Sequence, residues 1–182
     1  MKSNDQQIPI RKLKSIVLDL LCREDFDAAM EKMLAMPARR VVNPLFSFLY
    51  HGEPQIRWRA VTALGAVTAA LADQNMESAR VVFRRLMWNL NEESGGIGWG
   101  SPEVMGEIMA RHEKMREEYL PILLSFLDPE GNYLEHEGLQ QGVLWAAGRV
   151  AEIDPDPVRE AAPLIRTFLH SENAAFRATA AR

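Results

Sequence analysis

Apolar residues recur along the chain at the three- and four-residue spacing of an amphipathic helix. No Val-, Ile- or Thr-rich run alternates with polar residues as a half-buried strand would. Ala, Leu, Met, Glu and Arg, which suit helices, dominate these stretches. The pattern therefore predicts an all-α protein.

The apolar pattern also repeats itself. Residues 56–65 align without a gap with residues 97–106, residues 139–148 follow in the same register, and a fourth copy begins at Phe176. A shorter apolar stretch precedes each copy, and these stretches close on Leu49, Leu90, Leu127 and Leu169. Two helices in a period of about 40 residues are typical of an α-solenoid, in which neighbouring units share one continuous core.

The first copy carries the most specific signal. Residues 56–65 read apolar-Arg-x-x-Ala-x-x-Ala-Leu-Gly. In this pattern the chain resembles the HEAT-like repeats first associated with phycobilisome lyases, over roughly residues 41–182, although the second and third copies lack the Arg, the Leu and at least one Ala. The resemblance implies an α-solenoid with a right-handed superhelix, and it implies fold far more than function.

The repeat predicts one domain built of successive helical units. We expect a polar tail at 1–10, an N-terminal capping helical hairpin at 11–37, repeats at 38–75, 76–116 and 117–153, and an incomplete fourth repeat at 154–182. Asn43 before Pro44, and Asp156 before Pro157, have the sequence of a helix cap followed by the first helical residue. Cys22 closes the apolar run 16–22 and is expected in the core.

Numbering ten positions from the first residue of each copy separates two faces of the second helix. Positions 1, 5, 8 and 9 form an apolar stripe that we expect to pack inward. Positions 3 and 7 share another face, which in HEAT-like stacks lines the concave, partner-binding side. These columns contain Trp58, Thr62, Trp99, Glu103, Gln141, Trp145, Ala178 and Arg182. The tryptophans there fit either an interaction groove or packing between repeats.

The second copy contains a glycine-rich run before its helix. Gly95, Gly96, Gly98 and Gly100 should delay the helix, so that Ser101 caps it and Pro102 takes its first position. Trp99 then lies on a loop beside a helix amino terminus. The nearby Glu92, Glu93 and Glu103 argue against an anion site, and a long turn that plugs the core with Ile97 and Trp99 is the alternative.

Charge, cysteine count and hydropathy narrow the function classes. The net charge of -4 and the dispersed arginines argue against a nucleic-acid partner. One cysteine excludes an intramolecular disulfide. The polar amino terminus lacks a secretory signal and no run of eighteen apolar residues occurs, so we expect a cytoplasmic protein with no membrane span.

Catalytic and metal chemistry find no clear carrier in the sequence. The HEAT-like enzyme deoxyhypusine hydroxylase binds iron through His-Glu pairs at equivalent repeat positions. The His112-Glu113 and His136-Glu137 pairs of this chain lie at unrelated registers. We assign no catalytic residue, no metal ligand and no cofactor, and we consider an enzyme the less favoured class.

The sequence therefore predicts a non-catalytic protein- or peptide-binding scaffold or adaptor. Its contacts would be Trp58, Trp99, Glu103, Gln141 and Trp145 on the concave face, with Gly95, Gly96, Gly98 and Gly100 as an adaptable loop. The alternative is a small-molecule-binding protein, or a lyase-like or glycosylase-like enzyme, with its site at the loop 95–103. Self-association through the end beyond Arg182 is a third interpretation.

Overall fold

The computed structural model describes residues 8–90 and 98–182. Every regular element within these two ranges is a helix, as the sequence predicts. Eleven helices are defined there: α1 (Ile10–Leu21), α2 (Phe26–Leu34), α3 (Ala38–Phe48), α4 (Pro54–Gln74), α5 (Met76–Leu90), α6 (Ser101–Arg111), α7 (Glu113–Ser125), α8 (Glu137–Ala151), α9 (Asp156–Arg159), α10 (Ala162–Phe168) and α11 (Ala174–Ala180).

These helices belong to two compact units, Met1–Val82 and Phe83–Arg182, and the division falls within α5. The polar tail expected at 1–10 lies mostly outside the described residues. Helices occur at both positions expected for the hairpin at 11–37, and its role as a cap stays a prediction, as do the repeat boundaries.

In the first unit, α1 and α2 pack on the pair α3 and α4. Asp25 caps α2, because its carboxylate accepts a hydrogen bond from the Ala28 backbone N–H at 2.9 Å. Arg59 on α4 holds the turn between α1 and α2 by donating to the Leu21 and Arg23 carbonyls at 2.8 and 2.6 Å. Its guanidinium also lies over the Phe26 ring, 4.9 Å from the centroid. A single side chain of α4 thus fixes the hairpin formed by α1 and α2.

In the second unit, α6 and α8 form the closest helix pair. A Cβ placed on Gly106 would lie 2.7 Å from the Ala146 Cα, so the two backbones approach as closely as a glycine allows. The inward stripe is confirmed at positions 5, 8 and 9 of all three complete copies, which are buried at Ala60, Ala63, Leu64, Ser101, Val104, Met105, Val143, Ala146 and Ala147. Position 1 is buried at Leu139 but only half-buried at Ile56, near the start of α4.

Three local expectations are wrong. Pro44 lies inside α3, which begins six residues earlier, because burial of Val41 and Val42 outweighs the one backbone hydrogen bond that proline cannot donate. Asp156 is the first residue of α9 and Pro155 is its cap. Cys22 is exposed, because it ends α1 at the turn instead of continuing the buried stripe.

No helix within the described ranges is both long enough and apolar enough to cross a membrane.

Candidate functional site

Six residues of the second unit form what we call the α6–α8 face. They stand at positions 3, 7 and 11 of consecutive copies, so a four-residue step separates neighbours along each helix and places them on one side of it. The α6–α8 face consists of Trp99, Glu103, Glu107, Gln141, Trp145 and Arg149. Four of these are residues that the sequence nominates.

Two glycines set the position of Trp99 just before α6. Gly100 caps the helix with a φ of 77°, a backbone conformation that side chains with a Cβ rarely adopt. A Cβ on Gly98 would lie 2.5 Å from the Asn89 carbonyl oxygen, so the backbone at Gly98 lies directly against the end of α5. The predicted late start of α6 is confirmed, although its cap is Gly100 and not Ser101, because only glycine suits that φ.

The Trp99 indole lies across the amino-terminal end of α8. A Cβ on Gly138 would lie 2.7 Å from Trp99 Cζ3, and the His136 ring meets the indole edge-on with centroids 5.3 Å apart. His136 is itself fixed, because its Nδ1 accepts a hydrogen bond from the Gly138 N–H at 3.1 Å. The side chain of Trp99 nevertheless remains 42% exposed. A large aromatic is therefore held in place while one surface faces solvent.

Glu103 lies one helical turn further along α6 and rests on a second glycine of α8. A Cβ on Gly142 would lie 3.0 Å from the Cδ and from both carboxylate oxygens of Glu103. The Gln141 amide donates to the Thr179 hydroxyl of α11 at 3.4 Å, and Trp145 lies beneath the Arg182 guanidinium, 5.2 Å from the ring centroid. Trp99 and Glu103 thus lie against α8, whereas Gln141 contacts α11 and Trp145 contacts Arg182, which follows α11.

Glu107 occupies the next turn and is almost fully buried, with a side-chain exposure of 7%. Its Oε1 accepts from Arg149 Nε at 3.1 Å, and its Oε2 lies 2.8 Å from Arg111 Nη2. Arg149 continues the series to Glu152 at 3.1 Å, and Glu152 also binds Arg182. The hydrogen bond from Arg182, ahead of the charges of Arg182 and Arg149, holds the pKa of Glu152 below its ordinary value. Alternating charges therefore link α6 and α8 with Arg182, which follows α11.

Most of this charge series lies outside the ten aligned positions of the repeat, so the repeat pattern did not predict it. Glu107 and Arg149 each follow the glycine that ends an aligned copy, Gly106 and Gly148, so they occupy the same position in consecutive repeats. Opposite charges at one repeat position are a detectable signal, because equivalent positions of adjacent repeats lie side by side. Extending the alignment by one residue would have revealed the pair.

The other nominated residues lie elsewhere. Trp58 belongs to α4 in the first unit and is also 42% exposed. Gly95 and Gly96 fall outside the described residues, as does Ile97. Trp88, to which the sequence pattern gives no role, lies on α5, off its buried stripe, and is 77% exposed.

The histidines of the two His-Glu pairs serve as helix caps. Nδ1 of His112 accepts from the Met115 N–H at 3.3 Å at the start of α7, as His136 does at the start of α8. Over residues 8–90 and 98–182, no three His, Cys, Asp or Glu side chains cluster as metal ligands would. The α6–α8 face therefore offers contact chemistry: an aromatic surface, a carboxylate beside it and a rigid ion-paired support.

Comparison with known proteins places the chain by fold. No family model matches it. An uncharacterized protein of Archaeoglobus fulgidus is 32% identical over 119 residues, which are 65% of this chain. The chain spans 56% of the length of that archaeal protein.

Two engineered proteins of known crystal structure resemble the chain. One aligns with 93% of it and 76% of the engineered chain, at 15% identity and a TM-score of 0.50. The other covers 93% of it and 46% of the engineered chain, at 13% identity and a TM-score of 0.51. At these identities the likeness concerns the fold alone. The chain is an all-helical repeat protein of the α-solenoid class, as its repeat predicts.

Proposed function

We propose that the chain is a non-catalytic scaffold that binds a protein segment or peptide across the α6–α8 face. The observation that carries this proposal is the placement of Trp99, which is fixed by Gly138 and His136 while 42% of its side chain stays exposed. An aromatic side chain that is already ordered loses little freedom when a partner covers it, so more of its contact energy becomes affinity.

Glu103 gives this contact a polar neighbour on the same face. A binding surface commonly combines an aromatic anchor with a few polar groups that orient the partner. The ion pairs of Glu107 with Arg111 and Arg149 lie further along the same face and support it from within. Trp99 and Glu103 would be the binding residues. We also propose that the repeats are HEAT-like and that this face lies on their concave side.

Trp58 is proposed as a further contact of the same kind within the first unit. It stands at position 3 of its copy, as Trp99 does, and is equally exposed. Its contribution is tested separately with Trp58→Ala.

The test is selection of binding peptides from a random displayed library, followed by affinity measurement with the purified full chain. Trp99→Ala should weaken an enriched peptide at least about tenfold, as loss of an aromatic anchor does. Trp88→Ala is the matched control, because it removes an equally large and more exposed indole from α5. Its affinity should equal that of the wild type.

Equal affinity of wild type and Trp99→Ala for every enriched peptide would refute the proposal. The small-molecule alternative at residues 95–103 predicts a different result. No peptide would then be enriched, and a metabolite mixture would shift the tryptophan emission of the wild type but not that of Trp99→Ala.

A further inference from the structure

A groove of about 450 Å³ lies between α7 and the segment 154–160 of the second unit, on residues that the proposed function does not use. Its α7 wall is formed by side chains at 113, 116, 117, 120, 121 and 124, which is one continuous helical stripe. The volume falls within the range of clefts that hold a ligand or several side chains of a partner.

The wall opposite α7 belongs to a helical segment that is interrupted, with a proline at the start of its second part. Pro121 lies inside the unbroken helix α7, whereas Pro163, at the corresponding place of the last repeat, falls in the first turn of α10. Proline cannot donate to the carbonyl four residues before it and disfavours helix in the residue that precedes it. The chain accordingly ends α9 at Arg159 and turns before α10 begins at Ala162. The one-turn helix α9 and the residues on either side of it therefore form the wall opposite the α7 stripe.

The floor of the groove is apolar. Leu120 is buried, Leu124 is half-buried and Pro121 is exposed, and Pro157 closes the opposite side. An apolar side chain of a partner would be removed from water by these residues, which is favourable by about 25 cal/mol for each Å² covered.

The rim is acidic. One cation lines the groove, Arg116, and it is turned inward: its side chain is 12% exposed, its Nε donates to Asp154 at 3.2 Å and its Nη1 to the Met109 carbonyl at 3.1 Å. Arg159, outside the lining, pairs with Asp156 at 2.9 Å, but both side chains are largely exposed, so this pair is weak. The lining carboxylates are Glu113, Glu117, Asp154, Asp156 and Glu160.

We propose that this groove docks a basic segment of a partner protein, in which lysine or arginine side chains flank an apolar one. The apolar side chain would contact Leu124 and Pro121, and the cations would lie against Glu117 and Glu160. Five carboxylates against one inward arginine repel phosphate, so nucleic acid and anionic lipid are disfavoured. Charge complementarity of this kind raises the association rate and is weakened by salt.

The test uses two short synthetic peptides and the ¹⁵N-labelled full chain. The first peptide alternates lysine and arginine with leucine, and the second replaces each leucine by serine at the same net charge. The leucine peptide should shift the amide signals of Glu117, Leu124 and Asp154. It should bind at least about tenfold more tightly than the serine peptide, and more weakly at high salt.

Charge reversal on the rim supplies the second readout. The double variant Glu117→Lys with Glu160→Lys should lower the affinity for the leucine peptide at least about tenfold. The matched control is Glu130→Lys with Glu135→Lys, which changes the net charge equally at exposed sites outside the groove, and it should bind as the wild type does. Dispersed amide spectra of all variants verify that they are folded. Trp99→Ala should leave this binding unchanged, which separates the groove from the α6–α8 face.

Three results would each overturn the proposal. One is the absence of saturable binding of the leucine peptide up to about 1 mM. Another is equal affinity of the leucine and serine peptides, which would show that the apolar floor is not used. The third is an equal loss in the control double variant, which would assign the effect to net charge alone.

Discussion

Glu107 is a charged residue in a nearly buried place, and the two arginines beside it explain how it is tolerated. A buried carboxylate is costly unless charged partners compensate it, and Arg111 and Arg149 both lie within ion-pair distance. Both arginines are themselves partly exposed, so the group as a whole keeps contact with water. Removing the carboxylate charge would leave two cations close together.

We therefore expect Glu107→Gln to lower the free energy of unfolding by roughly 1–3 kcal/mol. Urea unfolding followed by circular dichroism measures the difference. Glu130→Gln is the control, because Glu130 is exposed, and it should stay within about 0.5 kcal/mol of the wild type. Equal stability of Glu107→Gln and wild type would show that the ion pairs contribute nothing to folding.

At the residue scale, sequence patterns predicted the buried stripe better than the surface. Position within a repeat determines burial, and so Val104, Met105 and Val143 were predictable from helical spacing. The placement of Trp99 was not, because it depends on a glycine of another helix, Gly138, that leaves room for the indole, just as Gly142 leaves room for Glu103. Glycines of one element acting on side chains of another carry no local sequence signal.

The seat of Trp99 can be tested without changing the tryptophan. Gly138→Ala would place a Cβ 2.7 Å from the indole, which must move outward. We expect the tryptophan emission to shift to the red and iodide to quench it more strongly, and any peptide bound at Trp99 to lose affinity. Gly148→Ala in the same helix meets only Arg182 at 3.9 Å, so its fluorescence should match the wild type. Identical quenching in both variants would contradict the placement of Trp99.

At the scale of elements, the order of helices was predictable and their ends were not. The two-helix period required a helix at each of the predicted stretches, and α4, α6 and α8 lie where the three copies do. Pro44, Pro121 and Pro163 look alike in sequence, yet Pro44 and Pro121 lie in the interior of a helix, whereas Pro163 lies in the first turn of α10. The outcome depends on how much apolar surface the preceding turn buries, which is a tertiary property.

The α6–α8 crossing depends on Gly106. A Cβ there would meet the Ala146 backbone at 2.7 Å, and a backbone atom cannot move aside as a flexible side chain can. We expect Gly106→Ala to lower the free energy of unfolding by about 1–3 kcal/mol, although alanine is the better helix former. Gly148→Ala controls for that propensity and should be neutral or slightly stabilising. Equal melting temperatures of Gly106→Ala and Gly148→Ala would mean that α6 and α8 can accommodate a Cβ at their crossing without loss of stability.

The contact between α8 and α11 should depend on acid pH through Glu152. Its folded-state pKa lies below the ordinary 4.5, mainly because Arg182 donates a hydrogen bond to it. A carboxylate with a lowered pKa stabilises the folded state fully at pH values above its ordinary pKa. This stabilisation disappears as the pH falls through the folded-state pKa. Glu152→Gln should therefore be less stable than wild type above about pH 5.5, by under about 1 kcal/mol because the pair is half-exposed. The two melting curves should converge as the pH drops below 4.5. A difference that stays constant down to pH 3 would rule out this carboxylate as its source.

At the scale of the whole molecule, self-similarity of the sequence predicted the fold class, because a repeat that recurs must stack on its neighbours to bury its apolar stripe. The two compact units within it could not be read from the pattern. Their division lies inside α5, a helix whose periodicity continues without interruption from Met76 to Leu90. A unit boundary depends on which contacts cross it, and those involve side chains distant in sequence.

Such a molecule should respond locally to a local fault. In a repeat protein each repeat contacts mainly its neighbours, so the free energy of unfolding is close to a sum of contributions from the repeats and from the interfaces between them. We expect Gly106→Ala to accelerate amide hydrogen exchange in α6 and α8 of the second unit and to leave α3 and α4 of the first unit near the wild-type rate. Mass spectrometry of peptides from native-state exchange gives both rates in one experiment. Gly148→Ala, in the same unit, should leave the amide exchange rates of all four helices unchanged. A uniform acceleration of all four helices would instead mean that the two units open as one cooperative body, and the additive account of their stability would be wrong.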